Sequence, residues 1–216
     1  MGSPDTTPPG PARFLASAGP VAACVLVIGT AAATMTWQGF DHSVQPLSDL
    51  GGTAAPAPVI QNVTFVVFGA GVVALGVALS ARVGRSVAAL VVGCGTAMAA
   101  LSLLACSPGC AAGTATDLAH GIIAVLGFVA VAVAMLLIGR RDPVGSPRWG
   151  RASTVAGAVT LALLVAWLVA AQVDPVGWRA GLLQRFMVGT VLVWLVVVSR
   201  HLHRRAPAPG VEHRGL

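Results

Sequence analysis

Apolar positions in this chain run in long unbroken stretches, not in alternation and not in single-faced helical stripes. Six such stretches can be read: Phe14–Thr36, Pro58–Ser80, Ser86–Ala105, Asp117–Ile138, Ser153–Gln172 and Ala180–Ser199. About 20 apolar residues carry a helix across the hydrocarbon core of a bilayer. Each stretch is apolar all round, as suits a helix that meets lipid on one side and neighbours on the other. The length of the runs and their lack of alternation exclude transmembrane strands. The pattern predicts an all-α, polytopic membrane protein: a six-transmembrane-helix bundle over 14–202, with a proline-rich tail at 1–13 and a basic tail at 203–216, both expected to be disordered.

Composition agrees. Of 216 residues, 56% are hydrophobic and 9% charged, with a mean hydropathy of +0.85. A soluble domain of this size needs more charge than that to cover its surface. The net charge of +6 comes from arginine alone, with no lysine, a bias typical of a GC-rich genome of the actinobacterial kind. In a membrane protein such charge sets topology, and no nucleic-acid motif accompanies it.

The arginines orient the bundle. Arg13, Arg82, Arg85, Arg140, Arg141, Arg148, Arg151, Arg200, Arg204, Arg205 and Arg214 all fall on one side of the predicted spans. Only Arg179 and Arg185 fall on the other. The positive-inside rule then predicts a plasma (inner) membrane protein with both termini cytoplasmic. The outer connections become Trp37–Ala57, Cys106–Thr116 and Val173–Arg179, with Trp37 and Trp178 in the outer aromatic belt.

Polar residues gather on that outer side. In "QPLSDLGG" (Gln45 to Gly52), Gly51 and Gly52 are expected to let the backbone bend, and Ser48 and Asp49 to face the mouth of the bundle. His42 lies just upstream. Asp117 and His120 share a helix face, three residues apart, at the start of the fourth span. Arg185, beside Gln184, lies inside the sixth span, where a cation facing the bundle needs an acidic partner; Asp49 and Asp117 are the candidates. Asn62 and Gln61 open the second span and can hydrogen-bond between helices. The small residues of "GAGVVALG" (Gly69 to Gly76) and "GCGTAMAA" (Gly93 to Ala100) suit close helix packing.

Cys106 and Cys110 bracket "CSPGC" in the second outer loop. A disulfide, two free thiols and metal ligation all stay open there; no recognised histidine spacing marks a metal site. No Walker, GxSxG, HExxH or CxxCH motif is present, which leaves any cofactor unknown.

In order along the chain, "SDLG" follows span one, "QNVTFVVFGAGVVALG" opens span two, "DLAHG" opens span four and "GLLQRFMVGTVLVW" forms span six. This combination resembles the bacterial and archaeal six-span membrane family catalogued as domain of unknown function 998, over about Phe14 to Leu202. Gln61-Asn62 stands where that family usually carries Phe-Asn. "SDLG" is also similar, more distantly, to the eukaryotic Frag1/DRAM/Sfk1 group, which implies a lipid-linked role.

Two readings of the outer cluster follow. In one, the protein is an enzyme acting on a lipid or isoprenoid at the outer leaflet. Asp49, Asp117 and His120 would serve as acid–base groups and Ser48 as a nucleophile. Arg185, Arg179, Asn62, His42, Gln184 and Trp178 would hold the ligand. In the other, the same residues close the outer end of a non-catalytic protein that binds membrane lipid. Physical economy favours the second.

Overall fold

A computed structural model describes residues 17–110, 113–141, 147–173 and 180–204. Six helices account for most of them: α1 (Ala18–Met35), α2 (Pro58–Val83), α3 (Arg85–Leu101), α4 (Ala115–Arg141), α5 (Pro147–Val173) and α6 (Ala180–Arg204). No strand occurs among the described residues. The expected residues Trp178 and Arg179 lie outside them, as do most of the two tails.

Five of the six helices, all but α3, are long and apolar enough to cross a membrane. Most run past the apolar stretches that predict them. The fourth extends to Arg141 and the fifth begins at Pro147, because a helix continues into polar residues until its backbone groups find other partners. The third is shorter than expected: α3 has 17 residues, about 26 Å at the usual rise. Beyond Leu101 the hydrogen bonds tighten to a spacing of three, with Ser102, Leu103 and Leu104 donating to Ala99, Ala100 and Leu101.

Each helix packs on its neighbour in sequence, and α6 closes the ring against α1. Small residues set the contacts. Gly69 of α2 faces Gly95 and Ala99 of α3, while Gly76 faces Ala88 and Val92, so the two helices run antiparallel. A Cβ on Gly95 would lie 2.6 Å from the Gly69 carbonyl, and one on Gly19 of α1 2.9 Å from the Leu195 carbonyl of α6. These backbones approach so closely because no side chain separates them. Gly93, in the same small-residue run, meets nothing within 4 Å.

A single residue, Gly84, joins α2 to α3. Its φ of +85° lies in the region glycine adopts without penalty. Arg141 donates to the Val83 carbonyl at 3.0 Å, placing a cation at the C-terminus of α2.

Leu75, Leu79, Val87, Val91, Met135 and Leu195 are fully enclosed in the core. Deep within it a cross-helix polar link runs from Trp194 Nε1 to Ser153 Oγ (3.0 Å) and on to the Met135 carbonyl (2.8 Å). The outer surface of the ring is apolar instead: Ile28 is 68% exposed and Val193 65%. A surface of that kind belongs in lipid, and the chain is an integral membrane protein of the multi-pass helical type.

Candidate functional site

At one end of the ring the connection 36–57 and the described part of the next one, 102–110 and 113–114, fold inward and interlock. We refer to this as the cap end. Its centre is a 3₁₀ turn, Leu47–Gly51, entered through Pro46, and all five of its residues are buried. A 3₁₀ turn leaves most of its backbone polar groups without internal partners, so a buried one must find them elsewhere.

The first connection supplies part of the answer. Asp41 accepts hydrogen bonds from the Ser43 amide (2.8 Å) and hydroxyl (2.6 Å), which hold its carboxyl below the usual carboxylate range. The turn so fixed aims the Ser43 and Val44 carbonyls at α6. There they accept from the Leu182 and Gly181 amides at 3.1 and 3.0 Å, donors that a helix N-terminus leaves unsatisfied. Gln184 returns the link, its Oε1 accepting from the Leu47 amide at 2.6 Å.

Arg185 completes this side. Its Nη1 donates to the carbonyls of Gln45 and Gly181, both at 2.8 Å, and its guanidinium lies 5.6 Å from the centre of the Phe40 ring. Among the described residues no hydrogen-bonded ion pair joins it to Asp49 or Asp117. The expected acidic partner is replaced by two carbonyls and an aromatic face. Its Nη2 is enclosed with no hydrogen-bond partner among the described residues. His42 is exposed and stands edge-on to Phe40, with ring centres 5.2 Å apart.

The second connection is gripped by two carboxylates. Asp49 accepts from the Gly109 amide through both oxygens, at 3.0 and 3.1 Å. Asp117 accepts from the amide and hydroxyl of Ser107 and from the amide and hydroxyl of Thr114. Thr114 in turn caps α4, its hydroxyl accepting from the Asp117 amide at 3.1 Å. Cys106 and Cys110 flank the gripped residues Ser107 and Gly109 and are joined in a disulfide, Cα atoms 5.0 Å apart. Cys110 has a φ of 49°, unusual for a residue with a side chain.

The two connections also meet directly. Thr53 donates its amide to the Cys106 carbonyl at 2.9 Å, and Asn62 donates to the Gly51 carbonyl at 3.3 Å. Gly52 shows why this segment ends in glycines. The chain bends here as expected, but a φ of −82° asks for no conformational freedom special to glycine. A Cβ there would instead lie 2.6 Å from the Cys106 carbonyl. Gly51 is closed off in the same way by the Asn62 amide.

His120 reaches the second connection from α4. Its Nδ1 lies 2.7 Å from the Leu104 carbonyl, which the tightened turn after α3 leaves available. Asp49, Asp117 and His120 therefore gather round one loop, with Arg185 set apart against the other. The Ser48–His120 pair required of a nucleophile and its base does not form. Ser48 Oγ instead lies 3.2 Å from Cys110 Sγ. Burial pushes the Asp49 carboxyl up to about 6, against the lowering effects of the Gly109 amide and the Arg185 charge.

Several participants escape a search for catalytic residue types. Gln45, Ser107 and Thr114 are polar but unremarkable in sequence. Thr114-x-x-Asp117 nonetheless has the spacing of a capping box, a signal legible in the chain. Gln61 is fully buried, and neither its Oε1 nor its Nε2 has a partner among the described residues.

A family model described as "Protein of unknown function" (DUF998) matches residues 20–201, a stretch that takes in the cap end and all six helices except the first two residues of α1 and the last three of α6. No curated protein and no solved structure gives a significant match.

Proposed function

The chain belongs to the DUF998 family of proteins of unknown function, and on that premise we propose that it binds an anionic membrane lipid in the groove between α1 and α6. It does so in the plasma membrane, with the cap end outward and both tails cytoplasmic, as the arginine distribution favours.

One observation carries this reading. An open groove of about 430 Å³ runs between the two helices, walled by Leu26, Val27, Ala31, Val188 and Leu192. Arg185 and His42 border it at the cap end. A half-buried guanidinium with no hydrogen-bonded acidic partner among the described residues, above an apolar groove, complements an acyl chain with an anionic headgroup. The buried carboxylates support a binding role over catalysis. Asp49 and Asp117 spend their oxygens on backbone and hydroxyl donors within the cap, which rigidify it.

Native mass spectrometry of detergent-purified protein tests the proposal, with phosphatidylglycerol and phosphatidylcholine as probes. The wild-type protein should retain phosphatidylglycerol at least tenfold better. Arg185→Gln should abolish that preference and Arg185→Lys keep most of it. Ala31→Trp, which fills the groove, should reduce retention of both lipids. Equal retention of the two lipids by the wild-type protein, or an unchanged preference in Arg185→Gln, overturns it.

A further inference from the structure

The cap holds a second cluster that lipid binding does not use. Cys106, Cys110 and His120 each offer one donor atom, and these three atoms lie within 4.8 Å of one another. Cys106 and His120 are buried and Cys110 is half-buried, so they meet inside the fold and not by chance on its surface.

The surroundings are those of a ligand set. A metal-binding histidine is usually oriented by a hydrogen bond from its other ring nitrogen to a carbonyl or carboxylate. The contact of His120 Nδ1 with the Leu104 carbonyl, at 2.7 Å, fixes the ring in that way and assigns the metal-facing lone pair to Nε2. Asp49 Oδ1 lies 3.5 Å from Cys110 Sγ. Two sulfurs, an imidazole and an oxygen make a tetrahedral set for a closed-shell, thiophilic cation. The loop is held from both sides, by Gly109 on Asp49 and Ser107 on Asp117, through bonds that do not involve the sulfurs.

We propose that Cys106, Cys110 and His120 form a redox-gated site for a thiophilic divalent cation such as Zn²⁺. In the disulfide form the site is closed, because both sulfur donors are spent on each other. A dithiol reductant opens it. The Cys106–Cys110 bond accepts two electrons and two protons and becomes two thiols, while the reductant is oxidised to its own disulfide. Zn²⁺ then displaces the two thiol protons, forming two metal–sulfur bonds, with His120 as the third ligand. Asp49 supplies the fourth, an oxygen.

The test uses full-length protein in detergent, in a Cys24→Ser, Cys94→Ser background so that only the cap sulfurs report. Reduced protein titrated with Co²⁺ should develop thiolate-to-metal charge-transfer absorption at one ion per chain, and Zn²⁺ should bleach it. Unreduced protein should show none. His120→Gln should weaken binding at least tenfold, and Cys106→Ser should remove the charge-transfer band or halve it. Zn²⁺ should also protect both reduced thiols from maleimide, a readout independent of the spectrum and of any fold defect in the variants. Reduced wild-type protein that takes up no Co²⁺ and reacts with maleimide equally with and without Zn²⁺ overturns the proposal. Undiminished affinity in His120→Gln overturns the ligand assignment.

Discussion

Asp49 and Gly109, 60 residues apart in the chain, are joined by one amide that donates to both oxygens of one carboxylate. This bond ties the first connection to the second and places a buried acid beside a disulfide. It also gives stability a definite dependence on pH. Asp49 is pushed up to about 6 from an ordinary 3.8, so the folded state holds its proton more tightly than the unfolded state does. The contribution is fully present below pH ~4 and is lost as pH rises through ~6. With partial solvent contact discounted, the loss is on the order of 1–2 kcal/mol. Thermal unfolding of the oxidised protein in detergent should show the midpoint falling between pH 4 and 7. Asp49→Asn should flatten the slope, and an unchanged slope in that variant would assign the effect elsewhere.

Asp117 should behave differently, since four donors converge on it. Asp117→Ala strands two amides and two hydroxyls and removes half of the cap on α4. The melting midpoint should fall by several degrees, and the Cys106–Cys110 disulfide should become faster to reduce. Asp117→Asn should recover part of both effects, because its amide oxygen still accepts. A reduction rate identical in all three proteins would show that Asp117 does not hold the loop.

Gly52→Ala puts a methyl group against the Cys106 carbonyl, a backbone atom that cannot move without its loop. The expected cost is about 1–3 kcal/mol. Gly93→Ala, in open space, is the control and should leave the midpoint unmoved. Equal midpoints for Gly52→Ala and the control would show that the loops are not in contact.

Gln61 offers a change in the other direction. Its side-chain amide is enclosed without a partner among the described residues, an arrangement that costs free energy. Gln61→Met, similar in volume, should stabilise the protein by about 1–2 kcal/mol. A destabilised variant would show that the amide has a use in the working protein.

The orientation is checked by labelling intact cells in the background lacking Cys24 and Cys94. Ala54 and Ser86 are both exposed, in the first connection and at the start of α3. A membrane-impermeant maleimide should reach Ala54→Cys and not Ser86→Cys. The opposite result would invert the topology.

The six helices were legible because a bilayer demands long apolar runs, and nothing in the folded ring competes with that demand. The cap was only half legible. Asp49, Asp117 and His120 could be picked out as costly groups at helix ends, and the disulfide was one of three open readings of the "CSPGC" spacing. Their partners could not be found that way, since most are backbone groups: the Gly109 amide, the Leu104 carbonyl and the Gln45 carbonyl carry no side-chain identity to read. Arg185 acts on Asp49 through its charge, while its hydrogen bonds go to carbonyls that are equally unreadable in sequence. The approach of His120 to the cysteines was hidden too, because it depends on where α3 stops being α-helical.

The seam where Gly19 of α1 lies against Leu195 and Ser199 of α6 makes the ring continuous, so no pair of neighbouring helices is privileged by the order in which the ribosome makes them. A circular permutant, with the end of α6 spliced to the start of α1 and the chain opened between α4 and α5, keeps every interhelical face and leaves both capping connections whole. The architecture is cyclic although the gene is linear.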